Sequence, residues 1–232
     1  MSVIPIKIGN LEFSQAEGIG APHCFTTRLG GVSTGIFDSL NLNFSRGDDP
    51  DKVVENFRLI GEVLGFTPED AVNARQIHSD IVVRIDERNR GKLAVTGAVG
   101  AAHAGWKGTV LAIGAKTVEA MTREFGTKPE NIRAAIGPNI GPCHFETDAD
   151  VPDALLEAFG DEVKPFIRPQ GNKFYVNLKE VNALVLRRAG VTHIEISDEC
   201  TMCRPDRFWS HRVTLGQRGA QGGIIVCKEV RR

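Results

Sequence analysis

The sequence predicts an α+β fold, a single domain of mixed β-sheets flanked by helices, and three observations carry that. Apolar residues recur at helical spacing in three stretches, near 51–65, 107–125 and 178–185. Short apolar runs such as IRAAI, HIEIS and GIIVC read as strands. Strands and helices do not alternate strictly, as a doubly wound parallel sheet would require. No repeat, low-complexity segment or linker interrupts the 232 residues, so 1–232 reads as one domain.

Taken in order, residues 25–50 are rich in Gly, Ser, Thr, Asn and Asp and read as loops with short strands. In DKVVENFRLIGEVLG (51–65), Val53, Val54, Phe57, Ile60 and Leu64 line one helix face. Pro50 precedes that helix, and Gly65 suits a left-handed cap. IVVRI (81–85) predicts a strand. The small-residue run VGAA (99–102) predicts another, followed by one long helix from Lys107 to Phe125. Its apolar stripe is Val110, Leu111, Val118, Met121 and Phe125, and Gly126 stops it. IRAAI (132–136) predicts a strand and GPNIGPC (137–143) a broken loop. Asn177 and Glu180 form a candidate capping box for a helix through Leu178, Val181, Leu184 and Val185. HIEIS (193–197) and GIIVC (223–227) complete the predicted strands.

Composition narrows the function. Apolar content is 41% and charged content 25%, ordinary for a globular protein. A net charge of −1 gives no overall attraction for phosphate backbones, so nucleic acid is not an expected partner. No apolar run approaches the roughly 20 residues of a membrane span. The start, MSVIPIKIGNLEF, has no basic stretch followed by a long apolar core. A cytoplasmic protein without a membrane partner is expected. Five cysteines, at 24, 143, 200, 203 and 227, are odd in number and form no disulfide framework. They read as thiols.

Several stretches carry possible chemistry. His103, in AAHAGWKGT, sits between small residues at a predicted strand-to-helix junction, where backbone N–H groups point outward. The plain alternative is a buried histidine bonded to a carbonyl. His78, in QIHSD, is a second imidazole, and two such rings could share a metal given a third ligand. Arg28, in TTRLGGVSTG, precedes Gly30, Gly31 and Ser33. That grouping suits an anion, since the guanidinium binds two oxygens and glycines let N–H groups approach. A glycine turn with a solvent-facing arginine explains it equally well. Cys143 ends the Gly/Pro loop and is a candidate nucleophile, although a small packed thiol is the commoner finding. Cys200 and Cys203 form a C-x-x-C, half of a metal knuckle with no second C-x-x-C or H-x3-H to complete it. Arg212, in FWSHR, can pair with a buried carboxylate or reach a pocket. Trp106 and Trp209 read as core aromatics, with Trp106 also placed for a loop mouth.

Together TTRLGGVSTG, SLNLNFSRGDDPDKVVEN, QIHSD, GAAHAGWKGT, AAIGPNIGPCHFE and CT…FWSHR resemble, in order, the YfiH/laccase-domain family. The resemblance spans roughly residues 22 to 228. It implies an α+β domain with a zinc held by two histidines and a cysteine, His78 and His103 filling the histidine places. It implies that Arg28 stands near substrate and phosphate. It also implies purine nucleoside chemistry: phosphorolysis of adenosine, inosine or methylthioadenosine, and deamination of adenosine. Some members are linked to editing of cell-wall precursors, a non-enzymatic alternative. The family is also called a polyphenol oxidase, which makes copper the alternative metal. Multicopper sites need many imidazoles, usually in His-x-His pairs, and this chain has six histidines and no such pair. A cysteine hydrolase built on Cys143 is a further rival.

One departure stands out. The family's zinc cysteine lies in an Ala-Asp-Cys segment upstream of HAGW. Here the interval reads ERNRGKLAVTG, with no cysteine. Either the segment is lost, or the chain is interrupted between residues 84 and 99; the second is expected, because losing a central strand would open the core, and in both cases one metal ligand is missing.

Overall fold

The computed structural model describes residues 2–73, 79–85 and 98–227. Strand β1 (Val3–Ile8) turns back into β2 (Leu11–Ala16), and β3 (His23–Thr26) follows. Helix α1 is Pro50–Leu64, α2 is Trp106–Val110 and α3 is Ile113–Phe125. Then come β4 (Arg133–Ile136), β5 (Glu146–Thr147), α4 (Asp150–Phe159), β6 (Ile167–Gln170) and β7 (Lys173–Val176). Helix α5 (Leu178–Arg188), β8 (His193–Ile196), α6 (His211–Thr214) and β9 (Gly223–Ile225) complete the chain. The fold is α+β: the strands form an antiparallel sheet β1-β2-β3-β9, a parallel pair β4-β8 and an antiparallel sheet β5-β7-β6. No helix among the described residues is long and apolar enough to cross a membrane.

The predicted helix at 51–65 forms with its signals shifted by one residue. Pro50 is the first helical residue, where its missing N–H costs nothing. Asp49 caps it by accepting from the Asp51 N–H at 3.0 Å, and Gly65 closes it at φ 82°. Its buried face, including Ile60 and Leu64, packs with Leu11, Phe13, Cys24 and Leu40 beneath the first sheet. Burying Cys24 pushes its thiol up to about 12, because the thiolate would be desolvated. At α5 only half of the predicted capping box is present. Asn177 Oδ1 accepts from the Glu180 N–H at 3.4 Å, while the Glu180 carboxylate turns to Arg187, 3.8 Å away.

Three sequence expectations need correction. The single helix over 107–125 breaks at Ala112, which takes a left-handed φ of 55°. The two pieces serve different cores. Trp106 and Val110 of α2 pack against the cluster of Leu155, Val176 and Val181, whereas Val118 and Met121 of α3 pack with Ile132 and Val191. Ala115, at the start of α3, still touches the first cluster, so the change of direction comes at the junction. The strand expected at 81–85 does not form. Ile81 and Val83 are each 64% exposed, and no described strand lies beside them to pair. Residues 99–102 are likewise irregular, so His103 follows a loop rather than a strand. The expected interruption between 84 and 99 falls largely on residues outside the described ones.

Candidate metal cluster and cleft

Parallel pairing of β4 with β8 sets the geometry of the site. It aligns Arg133 with His193 and Ile136 with Ile196, so the loops leaving both strands start side by side. Hydrogen bonds carry the pairing onward: the Ser197 N–H donates to Ile136 O and the Thr201 N–H to Asn139 O, each at 2.9 Å. The Gly/Pro loop therefore delivers Cys143 and His144 to the place where the other loop delivers Cys200 and Cys203. Their ligand atoms all lie within 4.8 Å of one another, and no other such group occurs among the described residues. His144 Nδ1 lies 3.2 Å from Cys143 Sγ, 3.4 Å from Cys203 Sγ and 3.7 Å from Cys200 Sγ. Cys143 Sγ and Cys203 Sγ are 3.6 Å apart.

The surroundings hold this cluster in place. The Gly141 N–H donates to Cys200 Sγ at 3.1 Å. A Cβ on residue 141 would stand 3.1 Å from Cys200 Cβ and 3.4 Å from Cys143 Sγ, so a side chain there would crowd the sulfurs and push them by a few tenths of an ångström. From α5, the buried Lys179 ammonium donates to Ser197 O at 2.6 Å and Glu199 O at 2.7 Å, tying down the second loop. Burial alone would push the Cys200 thiol up. The N–H groups of Gly141, Cys203 and Met202, with the His144 ring, outweigh it and bring the thiol down to about 6. Desolvation first, then the Cys200 and Cys203 thiols, push Cys143 up to about 12. From sequence alone Cys200 and Cys203 lacked partners; the missing half is Cys143-His144, two adjacent residues rather than a second C-x-x-C.

Beside the cluster lies a cleft of about 430 Å³, lined among others by Trp106, Phe145, Glu146, Asp148, Lys173 and Arg212. Arg212 is exposed. It donates to Glu146 O at 2.5 Å and His144 O at 3.4 Å, linking cleft and cluster through one backbone stretch. His103 is exposed just before α2, and residue 105 is close enough that a Cβ there would stand 3.1 Å from His103 Nε2. Gly108, in α2, makes room for two chain segments. A Cβ there would meet His103 O at 3.2 Å and Ser79 O at 3.9 Å. His78 itself lies outside the described residues.

The other anion candidates form a separate group. Arg28 donates from Nε and Nη2 to Asp38 O at 3.0 and 2.9 Å and from Nη1 to Pro205 O at 3.1 Å. Its guanidinium lies 4.0 Å from the centre of the buried Trp209 ring. The Gly31 N–H donates to Ser39 Oγ at 3.1 Å. Ser33 is buried; its hydroxyl donates to Asp48 at 2.6 Å and accepts from Asn56 at 2.9 Å. Asp48 also accepts from Asn41 at 2.8 Å. Burial would raise the Asp48 carboxyl, but the hydrogen bonds from Ser33, Asn41 and the Asp49 N–H, with Lys52 nearby, hold it below its ordinary 3.8. The native state therefore binds fewer protons than the unfolded one across that range, and stability rises with pH there. The stabilisation is complete above the ordinary carboxylate value and is lost as pH falls through the lower, native one. Asp48→Asn should flatten the acid limb of a urea-unfolding series run between neutral pH and pH 3, and an unchanged limb would place acid sensitivity elsewhere.

The profile of a family described as "Multi-copper polyphenol oxidoreductase laccase" matches residues 22–96 and 92–228. The chain belongs to this laccase-domain family. Within it, the chain is 34% identical to the purine nucleoside phosphorylase of Deinococcus radiodurans over 93% of its own length and 92% of that protein's. It is 33% identical to the purine nucleoside phosphorylase YlmD of Geobacillus stearothermophilus, over 90% of this chain and 91% of that one. The crystal structure of YlmD from the same organism matches with a TM-score of 0.87 at 30% identity, over 98% of this chain and 100% of that one. The Deinococcus alignment runs over 241 residues, more than the 232 of this chain, so that relative carries residues with no counterpart here. The two matched stretches of the laccase-domain profile meet at 92–96, inside the interval that lacks the family's cysteine.

Proposed function

We propose that this laccase-domain protein is a purine nucleoside phosphorylase acting on adenosine, inosine or methylthioadenosine with phosphate as co-substrate. The relatives' names and near-complete coverage support the reaction class. The observation that carries the assignment to residues is the convergence at Gly108. Ser79, which follows His78, and His103 both present carbonyls there, one residue pair from the Trp106 wall of the cleft.

In this reading a phosphate oxygen attacks the anomeric carbon as the purine leaves. A C–O bond forms, the C–N bond breaks, and the departing purine nitrogen takes a proton. The exposed His103 imidazole holds that proton, and the Trp106 ring offers a face to the purine. Arg212, in the cleft wall, supplies positive charge for phosphate; Arg28 stands in a separate group, with three of its five N–H groups going to backbone carbonyls. Gly30, Gly31 and Ser33 shape the loop that presents Arg28.

The family's zinc would need a cysteine beside His78 and His103, and the residues present do not complete that set. Cys24 is buried in β3, Cys143, Cys200 and Cys203 are gathered with one another, Cys227 follows β9 near the end of the described chain, and the interval 84–99 where the family's cysteine lies holds none. No step of this reading uses a metal at that place. Copper oxidation of phenols has less behind it. His23 Nε2 accepts from the Ala16 N–H while Nδ1 lies 2.8 Å from Ala21 O, and the metal-competent cluster holds a single imidazole.

Purified protein given inosine and phosphate is expected to yield hypoxanthine and ribose 1-phosphate. His103→Ala should lower that rate about 100-fold or more, the usual worth of a positioned proton donor. An unchanged rate would remove His103 from the chemistry. With adenosine, phosphate-dependent adenine is the expected product; inosine would instead mark deamination, the other activity the family resemblance implies.

A further inference from the structure

We propose that Cys143, His144, Cys200 and Cys203 bind one zinc ion in a closed, structural Cys3His site, separate from the family's two-histidine place. The known separations are close to those of a tetrahedral site. With Zn–S of about 2.3 Å and Zn–N of about 2.0–2.1 Å, tetrahedral angles put sulfur atoms about 3.8 Å apart and nitrogen about 3.6 Å from sulfur. The cluster has one sulfur pair at 3.6 Å and nitrogen–sulfur separations of 3.2, 3.4 and 3.7 Å. All four ligand atoms lie within 4.8 Å of one another, the spread a single tetrahedral ion needs.

The donor set selects the metal. Three thiolates and one imidazole in tetrahedral array suit zinc, whereas hard cations prefer oxygen and square-planar Cu(II) prefers nitrogen and oxygen. Four protein ligands fill zinc's coordination, leaving no open position for a substrate or water, which makes the site structural rather than catalytic. The Gly141 N–H donated to Cys200 Sγ is the outer-shell contact such a thiolate needs. The ion would join the loops after β4 and β8. It would also fix the backbone at His144, whose carbonyl Arg212 contacts from the cleft. This inference stands on the cluster alone and does not depend on the reaction proposed above.

Full-length protein purified without chelator should carry one zinc per chain by elemental analysis after gel filtration. Replacing that zinc with Co(II) should produce intense visible d–d bands and a near-ultraviolet thiolate charge-transfer band. Cys203→Ser should lose the metal equivalent or weaken the charge-transfer band, whereas His103→Ala should keep both. Because misfolding of Cys203→Ser would mimic loss of the metal, the wild-type chain supplies a second measurement. Zinc should protect Cys143 and Cys203 from alkylation, with mass spectrometry showing both modified once a strong chelator is added. The proposal is overturned if added zinc does not bind the reduced protein, or if Cys203→Ser retains full metal with an unaltered Co(II) spectrum. It is overturned equally if His103→Ala loses the equivalent, or if Cys143 and Cys203 alkylate alike with and without zinc.

Discussion

Arg207→Met is expected to destabilise the protein by about 3 kcal/mol or more, the scale for removing one partner from a buried charge network. Arg207 pairs with Glu12 of β2 and with Glu199 in the loop after β8. The three side chains are only 9%, 21% and 16% exposed, so solvent does little to screen what is left behind. Glu199 also accepts from the buried Ser14 hydroxyl at 3.1 Å. Removing the guanidinium leaves two carboxylates facing one another with no cation between them. Urea unfolding should show a lower midpoint at an unchanged slope. Adding Glu12→Gln and Glu199→Gln to Arg207→Met should recover most of the loss, because the penalty lies in the stranded charges rather than in lost volume. A cost under about 1 kcal/mol in the single variant would mean that this network contributes no more than a surface pair.

Gly31→Ala should cost about 3 kcal/mol or more, from overpacking against backbone that cannot retreat. The new Cβ would stand 2.3 Å from Ser39 O and 2.5 Å from both Asn56 Oδ1 and Leu40 Cα. That wall is fixed. The Ser39 and Leu40 N–H groups both donate to Arg28 O, at 2.9 and 2.8 Å, and the Ser33 N–H donates to Ser39 O at 2.9 Å. Asn56 is buried and donates to Asn41 O at 2.8 Å while accepting from the Val32 N–H at 2.9 Å. Gly35 is the informative control. Its φ is +64° but nothing lies within 4 Å of a Cβ, so Gly35→Ala should cost only the left-handed penalty of about 1 kcal/mol. Equal losses in thermal melts of the two variants would show that the close approach at residue 31 adds no cost of the expected size.

That comparison also separates two explanations of one motif. The GG of TTRLGGVSTG reads in sequence as room for an anion. In the fold, the space beside Gly31 is occupied by the chain's own backbone, and its N–H goes to Ser39. Crowding of this kind comes from residues 39, 40 and 56, which no local pattern brings to residue 31.

What the sequence determined by itself is what depends on near neighbours along the chain. The apolar period of 51–65, the proline and glycine at its ends, and the Asn177 cap act within a few residues, and the helices form where those signals stand. Family membership was also legible, because the motifs keep their order along the chain. Only the tertiary structure decided the rest. The apolar run of 81–85 predicts a strand, but a strand needs a hydrogen-bonding neighbour, and none of the described strands supplies one. The stripe from Val110 to Phe125 predicts one helix, but the chain breaks at the left-handed Ala112, with Val110 on one cluster and Val118 on another. The cluster of Cys143, His144, Cys200 and Cys203 spans about sixty residues of chain, with partners 59 and 60 residues apart, and exists because β4 and β8 pair in parallel. Coordination depends on distance in space, and the register of two distant strands sets that distance.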